Sequence, residues 1–194
     1  MKRPADPNNQ KRPKAASETT AADMPARRRA AVVSYLLIVA IGVAADLWSK
    51  RHVFGALPAG EDYRLIPRLI TLRISLNEGA AFGLGKGMAW LFVAVSVAAC
   101  AGMAWAVWRY GAGSRLLTIG LGLITSGAIG NLWDRIMHGG VVRDFILLHI
   151  GGWTYPAIFN VADVAICVGC AMVLWHSFIG PSAGGARRGA EERS

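Results

Sequence analysis

The chain has 194 residues, 54% of them apolar, with a mean hydropathy of +0.38 and a formal net charge of +9. Long charge-free runs put it in the membrane class and argue against an ordinary soluble globule. Nucleic acid is not the expected partner of the positive charge: 8 of the 21 Lys and Arg fall in residues 1–29 and none in the three longest apolar runs, which suits membrane orientation better.

Residues 1–29 are polar, hold four prolines and show no apolar periodicity, so a disordered basic cytoplasmic tail is expected. Arg27, Arg28 and Arg29 abut the first apolar run, which keeps the N-terminus cytoplasmic. A cleavable signal peptide would give a similar pattern. Three further spans, and the charged i, i+4 pair Asp46 and Lys50 at the end of this run, favour a retained helix.

Four runs reach the ~20 residues needed to cross roughly 30 Å of hydrocarbon. They are approximately Ala31–Trp48, Met88–Trp108, Leu116–Trp133 and Pro156–Phe178, and the tryptophans cluster near their ends as an interfacial belt would require. Gly120, Gly122, Gly127 and Gly130 allow the third helix to approach its neighbours closely. The connection Arg109–Arg115 carries two arginines and no acid, which fits the cytoplasmic side. In the long first connection, Leu69–Leu76 alternates apolar and polar residues like a strand, and Asn77–Gly87 supplies turns. The expected fold is therefore a mostly α membrane protein with four transmembrane helices and a small extracytoplasmic β-cradle at about residues 54–87. The helical domain covers residues 30–180, and residues 181–194 form a cytoplasmic tail.

An ionisable side chain at a bilayer centre costs roughly 2.5–3.5 kcal/mol, so such residues at spanning segments are functional candidates. Asp46, Ser49 and Lys50 close the first span, Asn131, Asp134 and Arg135 close the third, and Asn160 and Asp163 open the fourth. With the N-terminus inside, all of these lie at one membrane level, and the loop Met137–Tyr155 above them delivers Asp144. Two carboxylates in one small site repel, so one serves as base and the other as acid at the same pH. Asp144 and Asp163 are the candidates for activating water against an amide, with no metal or covalent nucleophile. Asp134 reads instead as part of a structural network with Arg135 and the preceding amide, and contact with substrate stays open for it. Adjacent Ser49 and Lys50 point about 100° apart on a helix and are poorly placed as a dyad. No HExxH or clustered Cys/His pattern calls for a metal, and the CxxC of Cys167 and Cys170 sits in an apolar run rather than beside a soluble βαβ unit.

At these residues the sequence resembles the lipoprotein signal peptidase, or signal peptidase II, family of bacterial aspartic membrane peptidases. The resemblance is carried by DLWSK (Asp46–Lys50), NEGAAFG (Asn77–Gly83), GAIGNLWDR (Gly127–Arg135), VVRDFI around Asp144 and FNVADVAI (Phe159–Ile166), five motifs in order between four spans. It implies cleavage of prolipoproteins before a diacylglyceryl-modified cysteine, with Asp144 and Asp163 as the catalytic pair. Asn77, Asn131, Arg135 and Asn160 would hold substrate backbone and orient the pair, and Asp46 and Lys50 would form a polar pair on the first helix. Gly79, Asp134 and Ala162 belong to the same motifs. One departure stands out: nine residues separate Asp134 from Asp144, one more than the family's common spacing, with Arg143 directly before the aspartate. Whether Arg143 acts on Asp144 or points away is open at this level.

The expected partners are lipid-modified prolipoproteins and membrane lipids, without nucleic acid or cofactor, for a monomer in the bacterial inner membrane. Both termini would be cytoplasmic and the site near the outer leaflet. A small proton-coupled transporter is the alternative, but such proteins commonly show repeats and midplane sites. No half-to-half repeat is visible here, and the acids gather at one end of the spans. A lipid-binding scaffold would account for the basic tail but not for the acids and amides.

Overall fold

The computed structural model describes residues 23–79 and 87–179. Helix α1 (Asp23–Ala56) is followed by strands β1 (Asp62–Ile66) and β2 (Ile70–Asn77), then α2 (Ala89–Tyr110), a 3-10 turn at Gly111–Gly113 and α3 (Arg115–Met137). Strands β3 (Val142–Ile150) and β4 (Trp153–Phe159) lead into α4 (Val161–Ile179). All four helices contain stretches long and apolar enough to cross a membrane. Their outward faces carry exposed Val33, Leu37, Ile41, Val95, Val168 and Leu174, and all seven tryptophans are exposed, which suits a surface turned to lipid.

Helix α3 is the centre of the bundle because its inner faces are built from small residues. Gly120, Gly122, Ser126, Gly127 and Gly130 are buried. A Cβ on Gly120 would press on Val173 and the Gly169 carbonyl of α4, and one on Gly122 would press on Ile38 of α1. Without an aqueous drive between helices, such close backbone approach supplies the packing. Towards the arginine-bearing ends of α1 and α2, Tyr35, Val107 and Leu121 form a buried cluster, and the Tyr35 hydroxyl donates to Thr125 Oγ1 over 3.0 Å.

The four strands form one antiparallel sheet in the order β1-β2-β3-β4. Asp62 and Arg73 are direct partners across β1 and β2 and form a bidentate ion pair at 2.5 and 2.7 Å. Between β3 and β4 the turn is Gly151-Gly152, with φ of 58° and 87°, the positive values that a two-residue hairpin turn demands.

Several sequence expectations change here. The stretch Met137–Tyr155 is largely a hairpin rather than a loop, so the cradle takes its second half from residues 142–159 and not only from about 54–87. The fourth helix starts at Val161, because Pro156–Phe159 belongs to strand β4, where Ile158 and Phe159 pair with β3, and Asn160 then caps the helix. Helix α1 begins at Asp23, inside the stretch 1–29 expected to be disordered, since alanine and arginine are strong helix formers. The expectations for residues 1–22, for most of Asn77–Gly87 and for 181–194 lie outside the described residues.

Candidate active site

The start of α4 is the local device that assembles the site. Asn160 accepts the first helical bond, from Val164 N, and so occupies the N-cap. Its Oδ1 accepts from Asp163 N over 3.0 Å, while Asp163 Oδ2 accepts from Asn160 N over 3.1 Å, a reciprocal capping box. A further orphan amide of this first turn, Ala162 N, donates to Asp46 Oδ1 over 2.9 Å. A carboxylate from α1 thus caps α4, and the positive end of the α4 dipole favours both acids.

Behind the cap lies a buried ionic network. Lys50 Nζ has three protons and meets three acceptors: Asp46 Oδ2 at 2.7 Å, Asp134 Oδ2 at 3.1 Å and Asn131 Oδ1 at 3.1 Å. Asp46, Lys50 and Asp134 are each 0% exposed, a burial that charges tolerate only when so paired. Asp134 also accepts from Arg143, through the backbone N at 3.0 Å, Nε at 3.0 Å and Nη2 at 2.7 Å. The structural network expected for Asp134 is therefore present, but its arginine is Arg143. Arg135 turns elsewhere: Nη2 donates to Gly79 O over 3.0 Å, its guanidinium lies 5.0 Å over the Phe92 ring, and its buried Nε has no hydrogen-bond partner among the described residues.

In front of the network, Asp144 and Asp163 line one cavity of about 480 Å³ with Asn77, Gly79, Asn131 and Arg135. Asp144 comes from β3, opposite Ser75 of β2, and is 2% exposed. Its Oδ1 accepts from Asn160 Nδ2 over 2.6 Å and its Oδ2 from Asn77 Nδ2 over 3.1 Å. Asp163 Oδ1 accepts from Asn131 Nδ2 over 2.9 Å. Because Lys50 and Asn160 both donate to Asn131 Oδ1, the Asn131 amide is fixed with its NH2 group towards Asp163. Burial, and then the charge of Asp163, push the Asp144 carboxyl up to about 6, against the pull of Asn77, Asn160 and Lys50. A carboxyl titrating there beside a second acid is suited to moving a proton near neutral pH.

All eleven residues singled out in the sequence converge here. Asn77, Gly79, Asn131, Arg135, Asp144 and Asp163 face the cavity, whereas Asp46, Lys50, Asp134, Asn160 and Ala162 support it from behind. Ser49 Oγ is bonded to the carbonyl of Asp46 at 2.8 Å, and Lys50 is fully engaged, so no Ser/Lys dyad forms. Among the described residues no three His, Cys, Asp or Glu side chains converge as a metal site would need. The sequence reading did not foresee the apolar wall of the cavity, which includes Leu148, Tyr155, Phe159, Val164, Cys167 and Val168. Its signal was present in the strand period of Val142, Asp144 and Leu148 and the helical period of Asp163, Cys167, Val164 and Val168.

The family model described as signal peptidase (SPase) II matches residues 38–179. A lipoprotein signal peptidase of Geobacillus thermodenitrificans (strain NG80-2) is 40% identical over 148 residues, covering 76% of this chain and 91% of the relative. The lipoprotein signal peptidase of Serratia proteamaculans (strain 568) is 38% identical over 152 residues, 76% of this chain and 88% of the relative. Two solved bacterial membrane enzyme structures, obtained by the in meso method at 2.3 and 1.9 Å, superpose with TM-scores of 0.70 and 0.68. At 24% identity they cover 77% of this chain and 92% and 94% of their own, a likeness in fold.

Proposed function

We propose, for a chain that belongs to the signal peptidase II family, that Asp144 and Asp163 are the groups that hydrolyse the signal peptide bond of prolipoproteins. The protein is a bacterial membrane peptidase acting on lipoprotein precursors, and the transporter alternative gains no support from its relatives. The observation that carries the residue assignment is that Asn160 donates to both carboxylates, to Asp144 through its side-chain amide and to Asp163 through its backbone N, while the two face one cavity.

In this reading one carboxylate takes a proton from water as the water oxygen attacks the carbonyl carbon of the scissile amide. The other gives its proton to the carbonyl oxygen. Collapse of the tetrahedral intermediate breaks the C–N bond as a proton passes to the departing nitrogen, leaving a new carboxyl terminus on the signal peptide and an amine on the lipid-bearing cysteine. Asn77, Asn131 and Asn160 orient the acids. Arg135 presents guanidinium N–H groups at the cavity wall for substrate carbonyls, and Gly79 leaves room for substrate backbone. The apolar wall of β4 and α4 suits the acyl chains of a diacylglyceryl group.

The same reading sets the site near the outer leaflet of the inner membrane, with both termini cytoplasmic. What supports this orientation is that Arg27, Arg28, Arg29, Arg109 and Arg115 cluster at the helix ends remote from the acids. Residues 30–180 make the peptidase domain, acting as a monomer without nucleic acid. The test is incubation of the purified protein with a diacylglyceryl-modified prolipoprotein and mass measurement of the product. Release of a peptide ending just before the modified cysteine is expected. Equal cleavage of the unmodified precursor, or none of either, would overturn the substrate assignment.

A further inference from the structure

Arg143 is the residue directly before Asp144, the last of the nine residues that separate it from Asp134. It is engaged as fully as any residue behind the site. Its backbone N, Nε and Nη2 all bond to the one carboxylate of Asp134, and its guanidinium lies 5.8 Å over the Phe54 ring of α1. The side chain is only 15% exposed and Asp134 is 0% exposed, so solvent does little to weaken the pair.

Two consequences follow for the reacting acids. Along the chain, the grip on Asp134 pins β3 to the end of α3 one residue from Asp144. Through the ionic network, Arg143 fixes Asp134, Asp134 and Asp46 fix Lys50, and Lys50 fixes the amide of Asn131, which donates to Asp163. Charge is also balanced. Among the lysines and arginines of the described residues, Asp46 and Asp134 would otherwise share Lys50 alone, whereas with Arg143 two buried anions face two cations.

We propose that Arg143 is a positioning residue for hydrolysis, setting Asp144 through the strand and Asp163 through the Asp134–Lys50–Asn131 chain. This rests on the assignment of Asp144 and Asp163 as the hydrolytic pair. Arg143 does not line the cavity, so its influence falls on turnover and not on substrate affinity.

The experiment compares wild type, Arg143→Lys, Arg143→Gln and Arg143→Met on a diacylglyceryl-modified precursor peptide, with Asp144→Asn alongside and rates expressed per folded molecule. Loss of a charged, two-pronged bond predicts a fall in kcat of roughly 10- to 100-fold for Met and Gln. KM should stay within about threefold, and Lys, which keeps the charge but not the fork, should recover part of the rate. Full kcat per folded Gln or Met variant, with only a lowered unfolding temperature, would overturn the proposal by leaving Arg143 a purely structural role. So would a raised KM at unchanged kcat, which would make Arg143 a substrate contact. An active Asp144→Asn control would instead sink the underlying assignment, whatever the Arg143 variants do.

Discussion

Asn160 and Asp163 hold each other through two reciprocal hydrogen bonds of 3.0 and 3.1 Å, so one of the two acids proposed to react is also the capping acid of its own helix. The same Asn160 reaches Asp144 through its amide at 2.6 Å. Asn160→Ala should therefore lose the cap, about 1 kcal/mol, and lower kcat by roughly 10- to 100-fold through the bond to a charged acceptor. Asn160→Asp keeps a capping oxygen but turns the donor to Asp144 and Asn131 into a buried acceptor, so both thermal unfolding and turnover should fall further than in Asn160→Ala.

Asp144→Asn and Asp163→Asn should each reduce turnover at least 1000-fold, on the order expected when a proton-transfer group is removed. A chelator should leave the wild-type rate unchanged. Both variants should still insert and run as folded protein in detergent.

The carboxyl of Asp144 is raised from the ordinary 3.8 to about 6, which fixes two signs. Its contribution to stability is fully present below pH 3.8 and is lost as pH rises through about 6, because the folded site disfavours the charge. Asp144→Asn should thus raise the unfolding temperature at pH 8 and have little effect at pH 4. Under the proposed mechanism the pair shares one proton, so kcat/KM should bend downward as pH rises past about 6 in the free enzyme.

Lys50 is the cation between two buried aspartates, and Lys50→Met strips Asp46 of its ion-pair partner while Asp134 keeps Arg143. A loss of about 3–5 kcal/mol is expected, read from denaturant or thermal unfolding in detergent. Ser49→Ala should keep the rate within about twofold, since that hydroxyl only returns to its own helix backbone.

A methyl group on Gly127 would collide with the carbonyl of Ala162 and with Ile166. Gly127→Ala should displace the start of α4, cost about 1–3 kcal/mol and depress turnover. Gly113→Ala, where nothing lies within 4 Å of the added carbon, should change neither.

Cys167 lines the cavity, whereas Cys100 and Cys170 do not. In single-cysteine variants, alkylation at Cys167 should inactivate the enzyme and saturating substrate should slow the loss. Alkylation at Cys170 should leave turnover intact.

The helices were legible in the sequence because their length and apolar content leave few other structures, and the acids stood out because charge is costly in such runs. The cradle was half legible. Ile70–Asn77 alternates, but Phe145-Ile-Leu-Leu148 does not, since β3 is covered by the cavity on one face and packed on the other. The turn at Gly151-Gly152 was the available signal for that hairpin. The partner of Asp134 was hidden by distance along the chain: adjacent Arg135 points away around the helix, and Arg143 arrives only once the strand has folded back. The start of α4 was obscured because Pro156–Phe159 is as apolar as the helix, although Asn160 with Asp163 spells an N-cap and its box.

The order of elements also sets when reactivity can arise during biosynthesis. The acid on α4 belongs to the last of the four described spans to leave the ribosome, and its helix start is capped by a carboxylate made with the first of them. A nascent polypeptide that has not yet made α4 holds the scaffold without the second acid of the proposed pair, so on that reading proteolytic competence waits for α4.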